Sequence, residues 1–220
     1  MDLLEHGRKS VIIILYSVVV ASSHDYLEVK RDPTKRHEEK CVEFGRSPFF
    51  ELDMVVGIPW RTYYTWNMDL GPRCVDMKFK MAAPMVIRRI YHDMKDYLEE
   101  QPVWGAAILL MTMGRSRHEM LLFDDQGPAG RFYAVANVIK DGNITPQRNA
   151  VPLLKFYLKL VNKGRYLVMM DCQIGVISLS ARLGDEPTRE QIAAVVSKLE
   201  LGSGRIACLP VENKKRDMFY

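Results

Sequence analysis

Two periods run through this chain. Over residues 75–81, Val75, Met77, Phe79 and Met81 alternate with Asp76, Lys78 and Lys80. A period of two describes a strand with one dry face and one wet face. Over residues 84–101 the period lengthens: Ile87, Ile90, Tyr91, Met94, Tyr97 and Leu98 recur at spacings of three and four, with Arg88, Arg89, Asp93, Lys95, Asp96, Glu99 and Glu100 between them. This predicts a helix, with Pro84 in its first turn and Pro102 as its stop. Strand signals fill residues 55–66 before this pair and 106–113, 118–123, 131–139, 153–161, 166–173 and 175–183 after it. Turn chemistry separates them at Gly114-Arg115-Ser116, Asp124 to Pro128, Asp141-Gly142-Asn143 and Asn162-Lys163-Gly164. Thr188 with Gln191 forms a capping box for a helix over about 189–201, striped by Ile192, Val195, Val196 and Leu199 and stopped by Gly202. The pattern is eight short strands, one inserted helix and one late helix.

Within the first strand, Trp60, Thr62 and Tyr64 are expected on one face and Arg61, Tyr63 and Thr65 on the other. Pro59 lacks a ladder donor, so a bulge or short 3₁₀ turn is expected immediately before Trp60.

The ends of the chain read differently. Residues 11–21 are an apolar run behind Arg8 and Lys9, followed by the small residues Ser22 and Ser23. The run falls short of the ~20 residues of a spanning helix but suits a signal-peptide core, so 1–23 reads as a signal peptide and no stable membrane insertion is expected. Residues 24–40 are crowded with charge around Pro33 and read as a flexible arm, and 210–220 as a flexible tail. One domain is expected between them, over 41–209. Asn143-Ile144-Thr145 is a glycosylation sequon for an exported chain.

Charge and candidate chemistry narrow the function. The 31 basic and 27 acidic residues are interspersed and give a net charge of only +4, which argues against nucleic-acid binding. Four cysteines in a secreted chain imply two disulfides, for which spacing alone leaves three connectivities. No C-x-x-C or paired-histidine spacing points to zinc or another metal, and no G-x-S-x-G elbow or phosphate loop points to an enzyme. No catalytic residue and no cofactor is assigned.

The order of these features resembles the lipocalins, most closely the insect branch containing bilin-binding proteins and apolipoprotein D relatives. The residues that carry the likeness are Gly57 and Trp60 in the first strand, Arg182 at the end of the last, the late helix and the placing of Cys41, Cys74, Cys172 and Cys208. The family usually spaces its first motif as Gly-x-Trp, one residue shorter than Gly57 to Trp60, and often has Thr-Asp-Tyr where only Tyr166 fits. The resemblance implies an all-β, eight-stranded, up-and-down antiparallel barrel with a C-terminal helix, here with an inserted helix. It implies pairing of Cys41 with Cys172 and Cys74 with Cys208, and Arg182 stacked over Trp60. It also implies a secreted carrier of a small hydrophobic ligand of the lipid, retinoid, sterol or pigment class. Strand alternation then nominates Tyr64, Met77, Phe79, Leu110, Met120, Phe132, Tyr157 and Tyr166 as inward, ligand-binding residues. The alternative is a filled barrel whose surface meets a protein partner or receptor and transports nothing.

Overall fold

The computed structural model describes residues 33–46, 49–127, 129–141 and 145–209. The signal-like run, the front of the charged segment, Asn143 and the tail lie outside these residues. Eight strands form a closed antiparallel up-and-down barrel: β1 (Pro59–Trp66), β2 (Asp76–Met81), β3 (Ala107–Met113), β4 (His118–Asp124), β5 (Arg131–Ala136), β6 (Leu154–Val161), β7 (Tyr166–Asp171) and β8 (Ile177–Arg182). Each strand pairs with the next, and β1 pairs with both β8 and β2, which closes the cylinder and leaves no long edge. A two-residue β9 (Arg205–Ile206) adds to β1 at Tyr64 and Thr65.

Among the described residues four helices cover the wall: α1 (Pro33–Phe44), α2 (Pro84–Met94), the single turn α3 (Val138–Asp141) and α4 (Arg189–Leu199). The inserted helix starts at Pro84 as expected, but its regular part ends at Met94 rather than near 101. It packs on the outside of the barrel. Ile90 and Met94 are fully buried in one cluster with Leu121 and Val135, while the Glu119 carboxylate accepts hydrogen bonds from Arg89 Nη2 at 2.7 Å and Lys140 Nζ at 2.6 Å. Burial penalises the charge of Glu119, yet these two cations outweigh that cost and hold its carboxyl below the usual range. On α4 the capping box forms as read, with Gln191 N donating to Thr188 Oγ1 and Thr188 N to Gln191 Oε1. The helix ends on Glu200 in a left-handed conformation, not on a glycine.

The charged segment expected to be a flexible arm is instead helical from Pro33, and α1 runs directly into Cys41 and Phe44. The reason is on its inner side. His37, Cys41 and Phe44 stand at helical spacing. His37 Nδ1 lies 3.2 Å from the Gln173 carbonyl oxygen, Cys41 is bonded to Cys172, and Phe44 meets Tyr157 edge-on with ring centres 5.6 Å apart. The second disulfide joins Cys74 to Cys208, so both pairings are those the resemblance implied.

The first strand begins at Pro59 rather than Val55. The expected 3₁₀ turn lies further upstream, at Leu52–Met54, and Gly57 takes a positive φ of 79° where the chain swings into the strand. The bulge falls inside the strand, between Thr62 and Tyr64 opposite β8. That one extra residue reverses the parity of everything after it, so Tyr64 leaves the face it shares with Trp60 and Thr62.

Candidate functional site

Directly paired residues lie on one face of a sheet, so register separates inside from outside. One face carries Arg61, Lys78, Lys80, Lys155 and Lys159 and is the outer one. The other carries Trp60, Thr62, Met77, Phe79, Leu109, Met111, Met120, Leu122, Phe132, Ala134, Phe156, Leu158, Leu160, Leu167 and Met169. Four of the eight nominated residues, Met77, Phe79, Met120 and Phe132, therefore point inward. Tyr64, Leu110, Tyr157 and Tyr166 do not. Tyr64 is displaced by the bulge, and its hydroxyl accepts from Gly204 N at 2.8 Å. Leu110 pairs with Lys80 and Leu121, Tyr157 with Arg131 and Met170, and Tyr166 with Val161 and Ala181, all on the outer face. These outer residues are apolar because helices cover them, so residue type alone cannot tell the two faces apart there.

The barrel interior is packed. Trp60, Phe79, Leu109, Met111, Leu122, Ala134, Leu158 and Leu167 each have 0 % of their surface open to water, which excludes a water-sized void against any of them. Arg182 sits with its guanidinium 5.8 Å from the Trp60 ring centre, the stacking implied above, and Trp60 Nε1 donates to the Val55 carbonyl at 3.4 Å. Other inward residues keep a little exposure, Met169 at 8 %, Leu154 at 6 %, Phe132 and Ser178 at 5 % and Met120 at 4 %, and Met81 at the end of β2 is open. The Ser178 hydroxyl has no hydrogen-bond partner among the described residues, whereas Thr62 Oγ1 and Ser180 Oγ lie 3.2 Å apart.

Space for a guest lies instead on the outside of the wall. A cleft of about 450 Å³ separates the C-terminal turn of α1 from strands β5 and β6. One bank is Cys41, Val42, Gly45 and Arg46. The other is formed by the outward pairs Arg131–Tyr157 and Tyr133–Lys155, with Phe132, Phe156, Asp125 and Cys172 completing the lining. The Cys41–Cys172 disulfide fixes one end. Elsewhere the gap is set by Gly45, where any Cβ would meet the Tyr157 ring at 2.5 Å; the Tyr157 hydroxyl donates to the Gly45 carbonyl at 3.2 Å. Burial pushes the Tyr157 phenol above its usual range. Hydrogen bonding to Asp125, with burial second, does the same for Tyr133, and Asp125 also pairs with Arg131. A shallower groove of about 350 Å³ runs along α2 beside Tyr91 and Trp104.

Of the nominated residues, Phe132 and Tyr157 line the cleft. Val42, Arg46, Asp125, Arg131, Tyr133 and Lys155 were not foreseen. The repeats Arg131-Phe132-Tyr133 and Lys155-Phe156-Tyr157, each an aromatic two places from a cation, are their trace in the sequence. Among the described residues no group of three metal-binding side chains occurs, and no helix is long and apolar enough to cross a membrane. No family model, no curated protein and no solved structure matches this chain.

Proposed function

We propose that this chain is a secreted, lipocalin-like binding protein that takes a small, largely apolar molecule into the cleft between α1 and the outer wall, with the packed barrel as its scaffold. The observation that carries this reading is the location of free volume. The interior has none against its central residues, whereas the cleft has about 450 Å³, within the range of small-molecule sites, and an aromatic floor with a few polar groups at its rim. Export is supported by the apolar run at 11–21 and by two disulfides that an oxidising compartment would maintain.

The test uses N-phenyl-1-naphthylamine, a neutral probe that brightens in apolar sites. Wild-type protein is expected to enhance its emission. Val42→Trp, at an exposed helix position lining the cleft, is expected to abolish the enhancement without lowering thermal stability. Probe binding that ignores the tryptophan would overturn the cleft as the site.

A second reading keeps the guest inside the barrel. It is favoured by the unpartnered Ser178 hydroxyl and by the inward Met77, Met111, Met120 and Met169, whose flexible side chains can repack around a ligand. Under it, Val42→Trp leaves binding intact and Ser178→Leu removes it.

A further inference from the structure

The rim of the cleft is unevenly charged. Arg46, Arg131 and Lys155 line it against a single carboxylate, Asp125. Asp125 is already engaged by Arg131 and by the Tyr133 hydroxyl. Arg46 and Lys155 lie on opposite banks, both exposed, and neither forms an ion pair with the described residues. Among the described residues Lys155 meets the Tyr133 ring, with its Nζ 5.9 Å from the ring centre. A neutral guest filling the cleft would strip water from these two cations and return nothing. An anionic group on the guest would supply the missing partner where the low local dielectric strengthens the attraction.

The geometry points to an amphipathic anion as the ligand of this cleft: a ring-sized or short aliphatic body resting on Tyr133 and Tyr157, with one carboxylate, sulfonate or sulfate group held between Arg46 and Lys155. This inference rests on the cleft being the binding site. It goes further in making charge a requirement for tight binding and in naming the two side chains that impose it.

The experiment compares two probes that share one body and differ by one charge, neutral N-phenyl-1-naphthylamine and its sulfonated counterpart 8-anilinonaphthalene-1-sulfonate. Both are titrated into the full-length mature chain, the Arg46→Ala/Lys155→Ala variant and Val42→Trp. Positions 46 and 155 are exposed, so the double variant should fold, and its thermal transition checks this. The sulfonate is expected to bind wild type more tightly than the neutral probe and to weaken about tenfold in the double variant, each partly exposed charge contact contributing a few-fold. The neutral probe should change by less than about twofold, and added salt should weaken only the sulfonate. If Val42→Trp expels both probes but the double variant binds the sulfonate as wild type does, the anion requirement is wrong and the cleft stands. If Val42→Trp expels neither, the cleft itself is wrong.

Discussion

Whether the barrel is solid or hollow is decided by what one interior side chain contributes to stability. Leu167 is the second residue of β7, paired with Leu160 on one side and Ser180 on the other, facing inward with 0 % of its surface open. Leu167→Ala removes roughly three methylene equivalents, a transfer loss of about 2.4 kcal/mol at ~0.8 kcal/mol each. Because the barrel is closed by hydrogen-bonded strands and braced by two disulfides, its walls cannot collapse into the vacancy. A cavity term of about 1–2 kcal/mol therefore adds to the loss, for a total near 3–4 kcal/mol. In a hollow barrel the same leucine would already border a void, with fewer contacts to lose and no new cavity to create, and the cost would stay below about 1.5 kcal/mol. Urea unfolding under non-reducing conditions, followed by the emission of the buried Trp60 and Trp66, measures the difference, with an unchanged m-value confirming that the same transition is compared. A loss under about 1.5 kcal/mol would refute the packed interior and return the guest to the barrel. A loss of 3–4 kcal/mol should be accompanied by a new, dry hole, and saturating benzene is then expected to raise the midpoint of the variant but not of wild type.

Three further outcomes follow from the same structure. Glu119→Gln, which releases α2 and α3 from the outer wall, should cost about 1 kcal/mol at pH 7, discounted because Arg89 and Lys140 are each about 40 % exposed. The Glu119 carboxyl is held below its unfolded value of about 4.3, so its contribution is present above that pH and is lost as pH falls through the folded value. The gap between wild type and variant, measured by thermal melts, should close on acidification and stay constant from pH 6 to 8. Cys74→Ala/Cys208→Ala opens a 134-residue crosslink and should cost about 2–5 kcal/mol in chemical denaturation. Arg182→Met keeps an aliphatic stem over Trp60 but removes the cation, and is expected to lower stability by about 0.5–2 kcal/mol and shift Trp60 emission.

The elements legible in the sequence were those with one covered face or an explicit punctuation mark. Strand β2 alternates because Lys78 and Lys80 meet water while Met77 and Phe79 meet the core, and it ends at Met81, where the alternation ends. The capping box of α4 and the proline at the start of α2 are local signals that survive folding unchanged. Strand β7 shows the opposite case. All six of its residues are buried, the barrel core taking Leu167 and Met169 and the helix layer taking Tyr166, Val168 and Met170, so alternation carries no information about which way each points. The bulge in β1 is silent in a different way. Thr62, Tyr63 and Tyr64 are all reasonable strand residues, and only the pairing partner on β8 reveals that one is extra.

The cleft escaped the sequence reading because it belongs to no single element. Its wall residues are ordinary outward positions of β5 and β6, and taken alone Arg131, Tyr133, Lys155 and Tyr157 describe a solvated strand pair with aromatic interleaving. They become a site only because α1 is laid across them, and α1 was hidden by its own charge. The forces that hold it there are few and specific: a covalent bond at Cys41, the Phe44 ring wedged between Tyr157 and the Lys159 ammonium at 5.1 Å, and the Lys159 to Phe44 carbonyl hydrogen bond at 3.3 Å. Burial at this contact lowers the Lys159 ammonium below its usual range, a sign that the helix, and not water, is its neighbour. The C-terminal turn of α1 is held to the wall by both the Cys41 disulfide and the Phe44 anchor, with the His37 contact to the Gln173 carbonyl one turn further back. Replacing Phe44 with alanine should loosen α1 and weaken probe binding in the cleft while leaving the barrel transition nearly in place, whereas an in-barrel site would be indifferent to it.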